Sequence, residues 1–206
     1  MSEMPRQRGL LFCLSGPSGV GKGTVIDEVR RRRPQVAHSV SITTRPPRPG
    51  EIEGVHYYFR TPEQFHQLLV EGEILEHDNY CGHYYGTPRS PLEAMRDEGR
   101  DVLMDITVPG SLAVMENHTD VVMMFLMPPT LTELKNRLTK RGTENDSVVE
   151  QRLLKGRIEI NKANLFNYVV INDELTATVD RILAIMDAEH CRYERLKGLE
   201  AFVLSH

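Results

Sequence analysis

The chain of 206 residues has no tryptophan, only three cysteines and no apolar run long enough to cross a bilayer. Cys13, Cys81 and Cys191 are odd in number and far apart. They form neither a disulfide framework nor a CxxC pair, which suits a reducing compartment. The longest apolar run, Val121–Met127, ends at Pro128-Pro129, far short of the roughly 20 residues a spanning helix needs. Arg6 and Arg8 precede Leu10–Leu14 as charges precede the apolar stretch of a signal peptide, but this stretch is short and runs into a glycine-rich turn. These absences predict a cytoplasmic protein without a membrane partner. A basic excess is lacking too: Lys+Arg number 25 against 29 Asp+Glu, a formal charge of -4, which speaks against a nucleic-acid partner. The one dense basic run, Arg30–Arg33, lies before Pro34. That placement fits the last turn of a helix, where cations suit the dipole and proline stops the chain.

What is present is enough for one core. With 40% apolar residues, a chain of this length buries roughly 70% of the surface it exposes when unfolded. Leu10–Ser15 is a continuous apolar run of the kind expected of a strand buried on both faces of a parallel sheet. Similar runs follow at Asp101–Ile106, Val121–Met127 and Tyr168–Ile171. Helical spacings separate them: Leu131, Leu134 and Leu138; Val149, Leu153 and Ile160; Val179, Ile182, Leu183 and Met186. Alternating strands and helices predict an α/β fold, a parallel sheet flanked by helices. From Gln35 to about Gly99 the texture changes, with clustered prolines and tyrosines and short strand-like pieces at His56–Arg60 and Ile74–Tyr80. Between these pieces Thr61, Pro62 and Gln64 spell the start of a capped helix. This segment reads as an insert at the sheet edge. The chain then divides into a core at 9–34 and 100–190, an insert at 35–99 and a helical tail at 191–206.

Gly16-Pro17-Ser18-Gly19-Val20-Gly21-Lys22-Gly23-Thr24 carries the G-x-x-x-x-G-K core of a phosphate-binding P-loop between a strand and a helix. Glycines let successive N–H groups curl around a phosphate, and the helix N-terminus adds partial positive charge. Lys22 then reaches the β- and γ-phosphates of ATP. An ordinary glycine-rich turn is the competing reading, and the placement of the lysine disfavours it. Gly23 stands where a hydroxyl usually holds Mg²⁺; Thr24 comes one place later. Asp105, ending a buried strand, is the other candidate for Mg²⁺ or its waters. Arg45 and Arg48 lie on a proline-stiffened loop, and Tyr57 and Tyr85 offer hydroxyls. Guanidinium forks match the oxygen faces of a monophosphate, although arginines on such a loop are also compatible with plain solvation. The histidines lack metal-site spacing.

The order Ser39-Val-Ser41-Ile-Thr-Thr-Arg45-Pro-Pro-Arg48-Pro-Gly50-Glu51, Gly54-Val-His-Tyr57-Tyr-Phe59 and Gly82-His-Tyr-Tyr85-Gly86-Thr87 resembles guanylate kinases. Arg137–Gly142, Arg152-Leu153 and Val170–Asp173 extend the resemblance over about residues 9–190. It implies a P-loop NTPase fold with a nucleoside-monophosphate-binding insert and a short helical lid at 137–152. It also implies transfer of the γ-phosphate of ATP, with Mg²⁺, to GMP and dGMP in purine metabolism. The implied roles are specific. Ser41, Arg45, Arg48, Tyr57 and Tyr85 would hold the GMP phosphate, and Glu76 and Thr87 would address guanine. Lys22, Arg137, Arg141 and Arg152 would surround the transferring phosphoryl group, and Asn172 would lie near adenine. Guanylate kinases usually carry a second carboxylate where Thr107 stands, in Asp105-Ile-Thr107-Val-Pro109-Gly110. The expectation is a guanine site short of one charge, with weaker base discrimination. Two alternatives stay open: a monophosphate kinase of relaxed or altered base specificity, and a non-catalytic guanylate-kinase-like module that binds proteins. The oligomeric state, monomer or homodimer, is open as well.

Overall fold

The computed structural model describes residues 7–80, 82–118, 120–139 and 146–205. The first apolar run becomes β1 (Leu11–Ser15), every residue of it buried. Although the run reads as uniformly apolar, its side chains alternate. Phe12 and Leu14 face a cluster built with helix residues Val25, Val29, Val179 and Ile182. Leu11 and Cys13 face another, built with Leu92, Val108 and Val114. A strand covered on both faces favours apolar side chains on each, which is why period 2 is absent from Leu11–Leu14, and the buried Ser15 at its end is satisfied by donating to the Ile106 carbonyl at 3.0 Å. Each fully buried large apolar side chain contributes roughly 1.5–3 kcal/mol.

The turn after β1 leads into α1 (Lys22–Arg32), and β2 (Ala37–His38) returns to the sheet. Arg30, Arg31 and Arg32 occupy the last turn of α1. Arg32 and Arg33 reach Asp180 at 2.5 Å and Asp187 at 2.6 Å. The basic run is therefore a helix end tied to a later helix.

The chain next builds a second sheet from β3 (Ile42–Thr43), β4 (Tyr58–Phe59), β5 (Ile74–Tyr80) and β6 (His83–Pro88), with α2 (Pro62–Val70) before β5. The strand order is β4-β3-β6-β5. The β3–β4 pair is parallel, and β6 runs antiparallel to both β3 and β5. The expected cap of α2 is present: Gln64 N–H donates to Thr61 Oγ1 at 3.2 Å, and Thr61 N–H to Gln64 Oε1 at 2.9 Å. Phe65 from α2 packs with Ile42 and Ile74 beneath this sheet.

Four parallel strands complete the main sheet with β1: β2, β7 (Val102–Asp105), β8 (Val121–Met127) and β9 (Tyr168–Ile171), in the order β2-β7-β1-β8-β9. The helices among them are α3 (Arg89–Asp97), α4 (Val108–Asn117), α5 (Leu131–Thr139), α6 (Asp146–Ile160), α7 (Leu175–His190) and α8 (Leu199–Leu204).

The sequence boundaries of the insert shift at both ends. Ala37 and His38 pair with Val102 and Leu103 in the main sheet. Leu92 of α3 is buried in the main core. The separate sheet therefore comes from residues 42–88 rather than from the whole of 35–99. The helix α4 lies against β5, so its N-terminal turn joins the two sheets.

Candidate active site

The loop between β1 and α1 encloses a cavity of about 190 Å³ lined by residues 17–23 and Asp105. Gly16, Gly19 and Gly21 have φ of 149°, 87° and 101°, values that L side chains adopt only with strain. A Cβ at Gly21 would also come within 2.9 Å of Asn172 Nδ2. Lys22 Nζ folds back to donate to the Gly16 carbonyl at 3.1 Å and stands 3.9 Å from Asp105 Oδ1. Burial raises the pKa of the Asp105 carboxyl, and Lys22 opposes that shift. Thr24 is exposed on the first turn of α1, and it is not among the residues lining the cavity.

Two helices close on this loop. Val20 accepts from Asn172 Nδ2 at 2.7 Å and from an Arg137 guanidinium N–H at 3.1 Å. Arg137 also donates to the Asn172 carbonyl and to Glu133. Two of these bonds tie Val20 in the loop to Asn172 at the end of β9. Arg152 from α6 donates to Ser18 Oγ at 2.7 Å. Arg141 lies outside the described residues.

Glu159 was missed by the sequence reading. Seven positions after Arg152 it shares the same helical face, is 6% exposed and has Lys155 Nζ 3.8 Å from its Oε1. Burial raises its pKa. An acid in step with Val149 and Gly156 on that face was the available signal.

The acceptor residues come together at the second sheet. The Arg45 guanidinium contacts both oxygens of Glu51, at 2.7 and 3.0 Å. It lies 5.5 Å from the Tyr57 ring centroid, and Tyr57 sits 6.0 Å from Tyr85 edge to face. Glu51 also takes the Arg48 backbone N–H at 2.7 Å, while the side chain of Arg48 is exposed. Ser41 pins β4 by accepting the Tyr58 N–H at 2.8 Å. Burial raises the Tyr57 pKa.

Deeper in, Glu76 is 7% exposed and accepts from Thr87 Oγ1 at 2.7 Å. Burial pushes its carboxyl up to about 7, against the Thr87 hydrogen bond and helped by the charge of Asp78. The hydroxyl of Thr107 caps α4 by accepting from Gly110 N–H at 3.2 Å and donates to Asp78 Oδ2 at 2.9 Å. Gly110 has no side chain for a plain reason: a Cβ there would fall 2.3 Å from Glu76 Oε2. Neither Asp78 nor Gly110 was singled out from sequence.

A glycine-rich loop at the end of a parallel strand, an arginine–tyrosine cluster and a buried carboxylate are what the structure builds from the motif segments. A family model for guanylate kinase matches residues 8–189. The chain belongs to the guanylate kinase family. It is 45% identical over 193 residues to a guanylate kinase of Oceanobacillus iheyensis, covering 94% of each chain. With a guanylate kinase of Halalkalibacterium halodurans it shares 46% identity over 193 residues, 94% of this chain and 95% of the other. The crystal structure of guanylate kinase from Anaplasma phagocytophilum superimposes with a TM-score of 0.80 at 35% identity, covering 98% of this chain and 97% of that one. Guanylate kinase membership thus agrees with a P-loop core carrying a second mixed sheet. Among the described residues no helix is long and apolar enough to cross a membrane. No group of three or more His, Cys, Asp and Glu side chains among them could hold a metal ion unaided.

Proposed function

We propose that this member of the guanylate kinase family transfers the γ-phosphoryl group of ATP to GMP, and to dGMP, giving ADP and a guanosine diphosphate in the cytoplasm. The observation that carries the reading is the pairing of two polar sites: a loop cavity where Asp105 stands 3.9 Å from Lys22 Nζ, and the Arg45, Tyr57 and Tyr85 cluster on the second sheet that α4 joins to the first. The acceptor phosphate ionises with a second pKa of about 6, so it attacks without a general base. Positioning and charge then supply the catalysis.

In this reading residues 16–24 cradle the ATP phosphates, with Lys22 on the β- and γ-oxygens, and Asn172 borders the adenine. Arg152 and Arg141 serve the charge that develops on the transferring group, and Arg137 holds the loop in shape. The GMP phosphate takes Arg45 from Glu51 and adds Arg48, Ser41, Tyr57 and Tyr85. Glu76, seated by Thr87, accepts from guanine N1–H and the 2-amino group, donors on an edge that adenine does not present. Oxygen ligands suit Mg²⁺, which keeps several waters and is bound through one or two carboxylates plus substrate phosphates. Asp105 and Thr24 would hold it, and when bound it neutralises charge on the β- and γ-oxygens.

ADP release measured over GMP, dGMP, IMP, AMP, CMP and UMP tests the assignment. GMP and dGMP should dominate kcat/KM. Preference for another monophosphate would overturn the guanine reading, and absence of turnover with all six would favour the non-catalytic module.

A further inference from the structure

We propose that Asp78 is a second specificity-determining carboxylate for guanine, held beside Glu76 by the hydroxyl of Thr107. The proposal rests on the reading that Glu76 receives the guanine edge. Glu76 and Asp78 are two residues apart on β5, whose register shifts between Ile74 and His77, and both side chains lie on the side of the strand that meets α4. Both meet the first turn of α4: Glu76 Oε2 occupies the space over Gly110, and Asp78 Oδ2 accepts from Thr107 Oγ1 at 2.9 Å. The direction of that bond is fixed. Thr107 Oγ1 already accepts from Gly110 N–H, and its single proton is left for Asp78, which when ionised can only accept. Asp78 Oδ1 makes no hydrogen bond among the described residues, and the side chain is only half-buried, so one acceptor oxygen stays available. The two carboxylates are close enough for the charge of Asp78 to raise the pKa of Glu76.

This geometry has a chemical match. The guanine edge offers three hydrogens, one on N1 and two on the 2-amino group. One carboxylate accepts two of them, and the third needs a further acceptor. Two carboxylates also discriminate against a base that presents a lone pair at N1, because acceptor would face acceptor. Thr107 then has a positioning role: it brings no charge of its own and aims a charge that comes from β5.

The test compares Asp78→Ala, Asp78→Asn, Thr107→Val and Thr107→Ser in the full chain, with KM and kcat for GMP, IMP and ATP. Hypoxanthine lacks the 2-amino group, so IMP reports on that contact. Asp78→Ala and Asp78→Asn should raise KM for GMP about tenfold, the scale of one hydrogen bond to a charged group. The KM for ATP should stay within about twofold, and the GMP-to-IMP preference should fall by the same factor as GMP binding. Thr107→Val should reproduce part of this, Thr107→Ser should restore it, and Thr107→Val should add nothing once Asp78 is alanine. Unchanged GMP kinetics and an unchanged GMP-to-IMP ratio in folded Asp78→Asn would overturn the proposal. Glu76→Gln in parallel separates the two levels: loss of GMP binding there with none at Asp78 sinks this proposal alone. No loss at Glu76 sinks the underlying reading.

Discussion

Gly110→Ala sets helix propensity against the guanine site. Alanine in an exposed helix interior is favoured over glycine by about 1 kcal/mol, so stability rules for helices alone give a more stable protein. In this chain the added Cβ would lie 2.3 Å from Glu76 Oε2 and 3.2 Å from its Cδ. Contacts that short force a neighbour to move, and the neighbour able to move is the carboxylate. Its displacement breaks the 2.7 Å bond from Thr87 in a buried site; a hydrogen bond to a charged group is worth roughly 1.5–3 kcal/mol. The helical gain and this loss leave a net destabilisation on the order of 1 kcal/mol. The effect on GMP should be larger, because a turned carboxylate meets neither N1–H nor the amino group. We expect KM for GMP to rise about tenfold or more, with kcat at saturation and KM for ATP changed little. Steady-state kinetics at pH 8, where Glu76 is ionised, and a thermal melt of the same preparation give both numbers. A variant that gains stability and keeps its GMP KM would refute the reasoning.

Glu76→Gln bears on pH. The carboxyl is held at about 7 instead of 4.5, so the folded state holds a proton that the unfolded state releases. Stability from this group is fully present below 4.5 and lost as pH rises through about 7, amounting to about 3 kcal/mol. The glutamine variant should flatten that decline in melts taken from pH 5 to 8, and in the parent enzyme KM for GMP should fall as pH rises through 7; a KM flat with pH would count against Glu76 as the guanine acceptor. Lys22→Ala should lower kcat by at least about 100-fold, as loss of a charge aimed at the transition state does, with an unchanged circular dichroism spectrum. Near-normal turnover would remove the cradle assignment. Arg152→Ala should cost roughly 10³ in kcat, the scale for an arginine serving the transferring phosphoryl group; a change confined to KM would make it a uniform binder of substrate.

Much of this protein was legible before any coordinates. The apolar Leu10–Leu14 run announced a doubly covered strand, and Thr61, Pro62 and Gln64 announced the start of α2, because those signals act over a few residues of chain. The G-x-x-x-x-G-K spacing placed a tight glycine-rich loop between β1 and α1 for the same reason. The insert boundaries were less legible, since whether Ala37 and Leu92 belong to one sheet or the other depends on partners more than 60 residues and about 30 residues away, at Val102 and Val121.

Side-chain roles depended most on tertiary structure. Arg137 reads as one more cation for phosphate, and the structure adds that two of its N–H groups also tie Val20 to Asn172. Thr107 reads as a lost carboxylate, and a carboxylate restored there would seem an improvement. With Asp78 only 2.9 Å from the threonine hydroxyl, Thr107→Asp would instead set like charges against each other. Sequence determines which chemical groups a chain possesses and the local rules of their backbone. Packing α4 on β5 decided that a carboxylate at 78 and a hydroxyl at 107 meet, because that meeting depends on a contact between segments about 30 residues apart.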